Sequence, residues 1–172
     1  MSAPSILKGP TFRFKIGRVV EIEHPSGRTG YLIAHFSRPR YGNFFTLITR
    51  TFPAPLPADR IHELQSCPAT TVWLNTYQLL STKEDFTICH KCDIPNYSAR
   101  EPSFWLGMVE YFITIERPDG KEERRKTDLS ERDWETEMER QGIIHKVLWL
   151  PKDIAAFLFD GVPLRWTSHK TY

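Results

Sequence analysis

Apolar and polar positions alternate along residues 11–23. Phe12, Phe14 and Ile16 fall on one side and Arg13 and Lys15 on the other, the period-two pattern of a strand. The phase slips at Gly17, where a bulge or bend fits. Val20 and Ile22 then resume the apolar side, against Glu21 and Glu23. His24-Pro25-Ser26-Gly27 is turn chemistry: proline fixes φ and glycine allows it to be positive. Tyr31–Phe36 reads as the return strand, Arg38–Asn43 as a second turn and Phe44–Thr49 as a third strand. Short strands joined by tight turns predict a strongly bent β-meander of the kind that opens a small barrel.

The pattern changes at Phe52-Pro53-Ala54-Pro55-Leu56-Pro57. Three prolines remove three ladder donors, so this stretch is an extended connector. Ala58–Gln65 has room for one or two helical turns, and Thr71–Leu80 and Phe86–Cys92 are β-prone. Asp93–Pro102, with two prolines, reads as a loop leading into Phe104-Trp105-Leu106-Gly107. In Glu110–Glu116 the residues Tyr111, Ile113 and Ile115 alternate with Phe112 and Thr114. Pro118-Asp119-Gly120 is a hairpin signal, and Lys121–Lys126 returns as a charged strand. Ser130 followed by Asp133 resembles a capping arrangement. It opens a helix over Glu131–Gln141 that Gly142 closes. Trp134 and Met138 then share the core face, with the acids outward. His145–Leu150 is a strand, and Pro151 suits the first turn of a helix over Lys152–Phe159, ended by Gly161.

These elements add up to an α+β fold: a twisted, partly barrel-like antiparallel sheet with two short helices packed on it. Residues 1–11 read as an N-terminal tail, 12–166 as one domain and 167–172 as a C-terminal tail. The length of 172 residues suits a single core, and the apolar share of 40% is ordinary for a globule. No apolar run reaches the roughly 20 residues of a membrane-spanning helix. Met1–Pro10 lacks the apolar stretch of a secretory leader, and three cysteines are too few for a disulfide scaffold. A cytoplasmic protein is therefore expected. The net charge of +2 hides an asymmetry. Residues 1–60 carry nine Lys/Arg against three Asp/Glu, so 9 − 3 = +6, and the remainder carries 14 against 18, or −4. Such a two-signed surface suits a protein partner.

Cys89-His90-Lys91-Cys92 could present two thiolates to zinc, with Cys67 and His62 as the nearest further ligands. No second compact knuckle supports this, so neither a metal nor another cofactor is expected. No nucleophile elbow, zinc-protease helix, P-loop or dinucleotide fingerprint occurs, and the six histidines are scattered. His35 and His145 read as structural residues inside strands. The chain is thus expected not to be an enzyme. Arg13, Arg18, Arg38 and Arg40, interleaved with aromatics, form the runner-up reading, a small barrel that binds single-stranded nucleic acid. Phe inside and Arg outside is also what any half-buried strand shows. From Asp128 to Glu139 there are six acids and one base, which would repel nucleic acid and attract a basic protein.

The chain resembles the immunity protein 26 family of bacterial polymorphic-toxin systems. The likeness begins at Phe14-Lys15-Ile16-Gly17-Arg18-Val19-Val20-Glu21-Ile22, followed by a hairpin and Tyr31-Leu32-Ile33-Ala34. It resumes at Phe86-Thr87-Ile88-Cys89-His90-Lys91-Cys92-Asp93-Ile94-Pro95 and the loop Glu101-Pro102-Ser103-Phe104. A short strand, a charged hairpin and a Trp/Glu-rich helix feeding a strand complete it. Order and spacing carry the match over roughly residues 12–160; the proline-rich stretch 52–57 and Cys92 depart from it. The resemblance implies a non-catalytic antitoxin that binds one cognate bacterial toxin domain in the cytoplasm of the producing cell. It supplies no catalytic residues and no map of the toxin contact. The expected contact surface is the acidic helix and the aromatic loop, namely Glu131, Asp133, Glu135, Glu137, Glu139, Phe104 and Trp105, although Trp105 reads equally as core.

Overall fold

The computed structural model describes residues 15–38, 42–74, 87–99, 102–109 and 111–165; the side chains at 36–38, 42–43, 87–91 and 107–109 lie outside that description. Among the described residues, ten strands form two open sheets. Strands β1 (Arg18–Glu23), β2 (Thr29–Arg38), β3 (Gly42–Ile48), β4 (Ala69–Leu74) and β5 (Thr87–Asp93) join β10 (Leu148–Trp149) in the order β10-β4-β3-β2-β1-β5. Strands β6 (Phe104–Val109), β7 (Phe112–Glu116), β8 (Glu122–Lys126) and β9 (Ile144–His145) form the second sheet, ordered β8-β7-β6-β9. The α+β class holds, but neither sheet closes, so the barrel-like expectation gives way to two sheets with edges. The strand expected over residues 11–17 lies partly outside the described residues, as does the 38–43 turn at 39–41, and residues 75–80 lie wholly outside them.

The meander forms as its alternation and turns predict, with one correction. Val20 and Ile22 do face an apolar cluster, shared with Leu32, Phe45, Leu47 and Val72. The opposite face is not solvent, because Val19, Tyr31, Ile33 and Ile48 are buried there beneath Phe52, Leu56, Ile61 and Leu64. The proline-rich connector and the 3-10 helix Ala58–Ser66 therefore cover the second face of the sheet. Strands buried on both sides read as nearly continuous apolar runs, which explains Val19-Val20 and Tyr31-Leu32-Ile33-Ala34. Glu21, expected to point outward, is fully buried. Its carboxylate accepts from the Tyr31 hydroxyl at 2.6 Å, and that hydroxyl accepts from the Leu56 backbone N–H at 2.6 Å. Burial first, and then this hydrogen bond to Glu21, pushes the Tyr31 phenol well above its ordinary range.

The 117–121 hairpin closes as expected: Arg117 N–H donates to Lys121 O, and Gly120 N–H to Arg117 O, both at 2.8 Å. Helix α1 (Glu131–Arg140) is capped by Ser130, whose hydroxyl oxygen accepts from Asp133 N–H at 3.3 Å. Trp134 and Met138 pack with Trp105, Ile113, Ile115 and Ile143, so α1 covers one face of the second sheet. Helix α2 (Pro151–Ala155) runs into a single wider turn, Ala156–Asp160, that stops at Gly161 in the left-handed conformation. Its residues Ile154, Leu158 and Phe159 complete the first cluster.

The expected strand His145–Leu150 is instead two two-residue strands in different sheets. β9 pairs parallel with β6 (Phe104↔Ile144, Trp105↔His145), and β10 pairs parallel with β4 (Leu148↔Trp73, Trp149↔Leu74). Between them, the Lys146 ammonium meets the Glu116 carboxylate at 2.5 Å, with the two side chains only 5% and 6% exposed. The sheets also meet where the Phe44 and Phe104 rings lie 5.0 Å apart. Among the described residues, no helix is long and apolar enough to cross a membrane.

Candidate functional site

A cleft of about 550 Å³ opens where the two sheets, α1 and the segment after α2 converge. That volume lies in the range of small-ligand and anchor pockets, roughly 300–1,000 Å³. Trp105 and His145, neighbours across β6 and β9, form one wall, with ring centroids 3.7 Å apart and planes at 47°. Thr70 and Thr71 of β4 face them from the other sheet. Glu135 and Glu139 contribute from α1, and Phe157 and Arg165 from the C-terminal side. Trp105 is 2% exposed and Glu135 5%, so both belong to the floor, whereas the Glu139–Arg165 ion pair, 3.0 Å long, stands at the rim. The cleft offers the partly exposed His145 and Phe157 rings on its walls and a rim of paired charges, with Trp105 and the Glu135 carboxylate enclosed beneath. This is recognition chemistry for a side chain with an apolar stem and a polar or cationic head.

The acids of α1 divide between the floor and the outer surface. Asp133 is exposed and bonded by the Ser130 hydroxyl at 2.5 Å, while Glu131 is half-buried in the first turn. Glu137 accepts two hydrogen bonds from Arg140, at 2.8 and 2.7 Å, and one from Gln141 at 2.6 Å. The Arg140 guanidinium first, then the Gln141 amide, holds the Glu137 carboxyl down at about 2. Glu139 turns to Arg165. Glu135 departs from the outward expectation, because it follows Trp134 on the edge of the buried stripe and is carried into the cleft.

Two further expected contact residues are corrected by burial. Phe104 and Trp105 do not lie on a loop; they begin β6 and are core, Phe104 against Phe44 and Trp105 beneath α1. A partner cannot reach either without opening the fold. The expected surface therefore shrinks to Glu131, Asp133, Glu137 and Glu139, with Glu135 at the back of the cleft.

Of the zinc candidates, His62 and Cys67 are bonded to backbone carbonyls of their own 3-10 helix. The His62 ring donates to Asp59 O at 2.7 Å, and the Cys67 thiol donates to Glu63 O at 3.5 Å. Cys67 and Cys92 are free thiols that pack, half-buried, against the cluster under the proline-rich connector. Cys89 pairs with Glu21 in the backbone register, but its side chain lies outside the described residues. Among those residues no group of three potential ligands converges. Of the cations proposed for nucleic acid, Arg18 is committed to Asp93, which also takes Lys15 at 2.9 Å. Arg13, Arg40 and the side chain of Arg38 lie outside the described residues.

Sequence reasoning missed the cleft because its walls come from β4, β6, β9 and α1, which no local pattern links. The one available signal was a glutamate beside the Trp134/Met138 stripe. Comparison with family models, curated proteins and solved structures finds no match for this chain. The resemblance therefore rests on the residues that carry it.

Proposed function

We propose that this chain is an immunity protein of the polymorphic-toxin type, which neutralises one cognate toxin domain in the producer's cytoplasm by stoichiometric binding rather than catalysis. The observation that carries the reading is an acid-faced helix, rigidly held, at the rim of a cleft large enough for an anchoring side chain. Ser130 caps α1, Trp134 and Met138 fix it to the sheet, and Arg140 and Arg165 set the directions of Glu137 and Glu139. A basic partner is steered by that field, and a lysine or arginine from it can enter the cleft past Glu139. Tight neutralisation depends on a few such anchors more than on buried area.

Co-expression with a candidate toxin domain from a neighbouring open reading frame tests the reading. Restored growth and a one-to-one complex on gel filtration are the expected results; growth arrest despite soluble antitoxin overturns it. Within that complex, reversing Glu131 and Glu139 to lysine should slow association by about tenfold at low salt, with the difference shrinking as ionic strength rises. Unchanged association would discard this face while leaving neutralisation intact. A salt-sensitive shift of a single-stranded oligonucleotide by the isolated protein would instead favour the nucleic-acid reading.

A further inference from the structure

The outer face of the second sheet is built differently from the face under α1. Ile113 and Ile115 point to α1, so Phe112 and Thr114 point away from it, opposite Lys126 and Arg124 across β8. The Arg124 guanidinium lies over the Phe112 ring, 5.0 Å from its centroid, and Lys126 is exposed. Phe112 itself is 39% exposed. Next to it, Tyr111 occupies the tight connection between β6 and β7, 67% exposed and with φ at +68°. A bulky residue in the left-handed region is strained, whereas glycine or asparagine sits there readily. The Tyr111 carbonyl accepts from Thr127 N–H at 2.7 Å, and the Thr127 hydroxyl oxygen accepts from Leu129 N–H at 3.1 Å. Leu129, also exposed, is thereby brought to the same end of the sheet. Among the described residues no hydrogen bond, ion pair or ring contact uses the Tyr111 ring, although its backbone bears a strain that a smaller residue would remove.

We propose that this aromatic end of the second sheet, Tyr111, Phe112 and Leu129 flanked by Arg124 and Lys126, docks an acidic segment of a partner protein bearing an aliphatic or aromatic anchor. Tyrosine, phenylalanine and arginine at the centre of a patch are the side chains on which binding energy concentrates. The sign of the charge selects the partner. The two exposed cations beside the rings favour a negative segment, and the acids of α1 lie across the sheet from them. Asp128, exposed at the boundary, and Glu122, farther along β8, confine the positive field to the aromatic end. This surface is separate from the α1 face and takes a partner of opposite charge.

Random-peptide phage display against the full chain supplies the probes. Synthesised winners should be rich in Asp and Glu around one hydrophobic residue. Their Kd should rise by roughly tenfold or more on Tyr111→Asn and on the double change Arg124→Glu, Lys126→Glu. Tyr111→Asn should keep its Tm or raise it by up to roughly 4 °C, because asparagine tolerates the left-handed backbone. Weakened binding by a variant at least as stable as the parent is therefore a surface effect. Winners without acidic enrichment, or affinities unmoved by both variants, overturn the proposal. So does oligothymidylate binding lost on the same substitutions, or a dimer in sedimentation that Tyr111→Asn dissociates. The first would make the occupant nucleic acid, and the second another copy of this chain.

Discussion

Replacing Lys146 by methionine is expected to destabilise the protein by about 3–5 kcal/mol, the cost of stripping a buried carboxylate of its cationic partner. Glu116 and Lys146 are almost fully enclosed, so water cannot take the place of the lost ammonium. The methionine fills the volume of the lysine stem, which leaves the missing charge as the main change. Against a total stability of about 5–15 kcal/mol, such a loss should lower Tm by roughly 10 °C or more. The companion change Glu116→Leu in the same chain should recover most of it, because an apolar pair of similar size avoids the desolvation of both ions. Urea titrations of the single and double variants check this. A loss below about 1 kcal/mol in the single variant would mean that solvent reaches the pair.

Gly17→Ala is expected to cost about 3 kcal/mol, more than glycine conformation alone explains. Gly17 has φ +84°, and its N–H donates to Ala34 O at 2.8 Å while its carbonyl accepts from Ile94 N–H at 2.8 Å. It joins the entry of β1 to β2 and to the exit of β5. A Cβ here would collide with the carbonyl oxygen of Ile94, which is backbone and cannot swing aside. Gly27 is the internal control. Its φ is +82°, but an added Cβ meets nothing within 4 Å. Gly27→Ala should therefore cost only about 1 kcal/mol for the left-handed backbone. The difference between the two variants, about 2 kcal/mol, measures the collision. Equal losses would show that the Ile94 turn yields.

Local features of the sequence carried far. The hairpins around Gly27 and Gly120 and the helix with Trp134 and Met138 follow from periodicity and turn chemistry, which act over a few residues. What escaped was set by distant segments. Glu21 looked like an outward strand residue until the proline-rich connector was seen to cover that face. Tyr111 fell in phase with Ile113 and Ile115, yet it is a turn residue, because β6 begins earlier, at Phe104, and needs a tight reversal before β7. Phe104 and Trp105 looked like a loop after Pro102, although both are central to the packing. The run 145–150 looked like one strand because its division between two sheets leaves no trace in its own residues. Of the candidate site, the charge of α1 was legible, while its cleft and the inward turn of Glu135 were not.

That division has a consequence for synthesis. Residues 144–149 emerge from the ribosome after all the other described strands, and they occupy the open edge of β4 and of β6 together. Until they arrive, the nascent chain displays two bare hydrogen-bonding borders, the condition under which chains pair with their neighbours. A released chain truncated before Ile143 should thus be chaperone-bound or clumped, and extension past Trp149 should clear both hazards in one stroke.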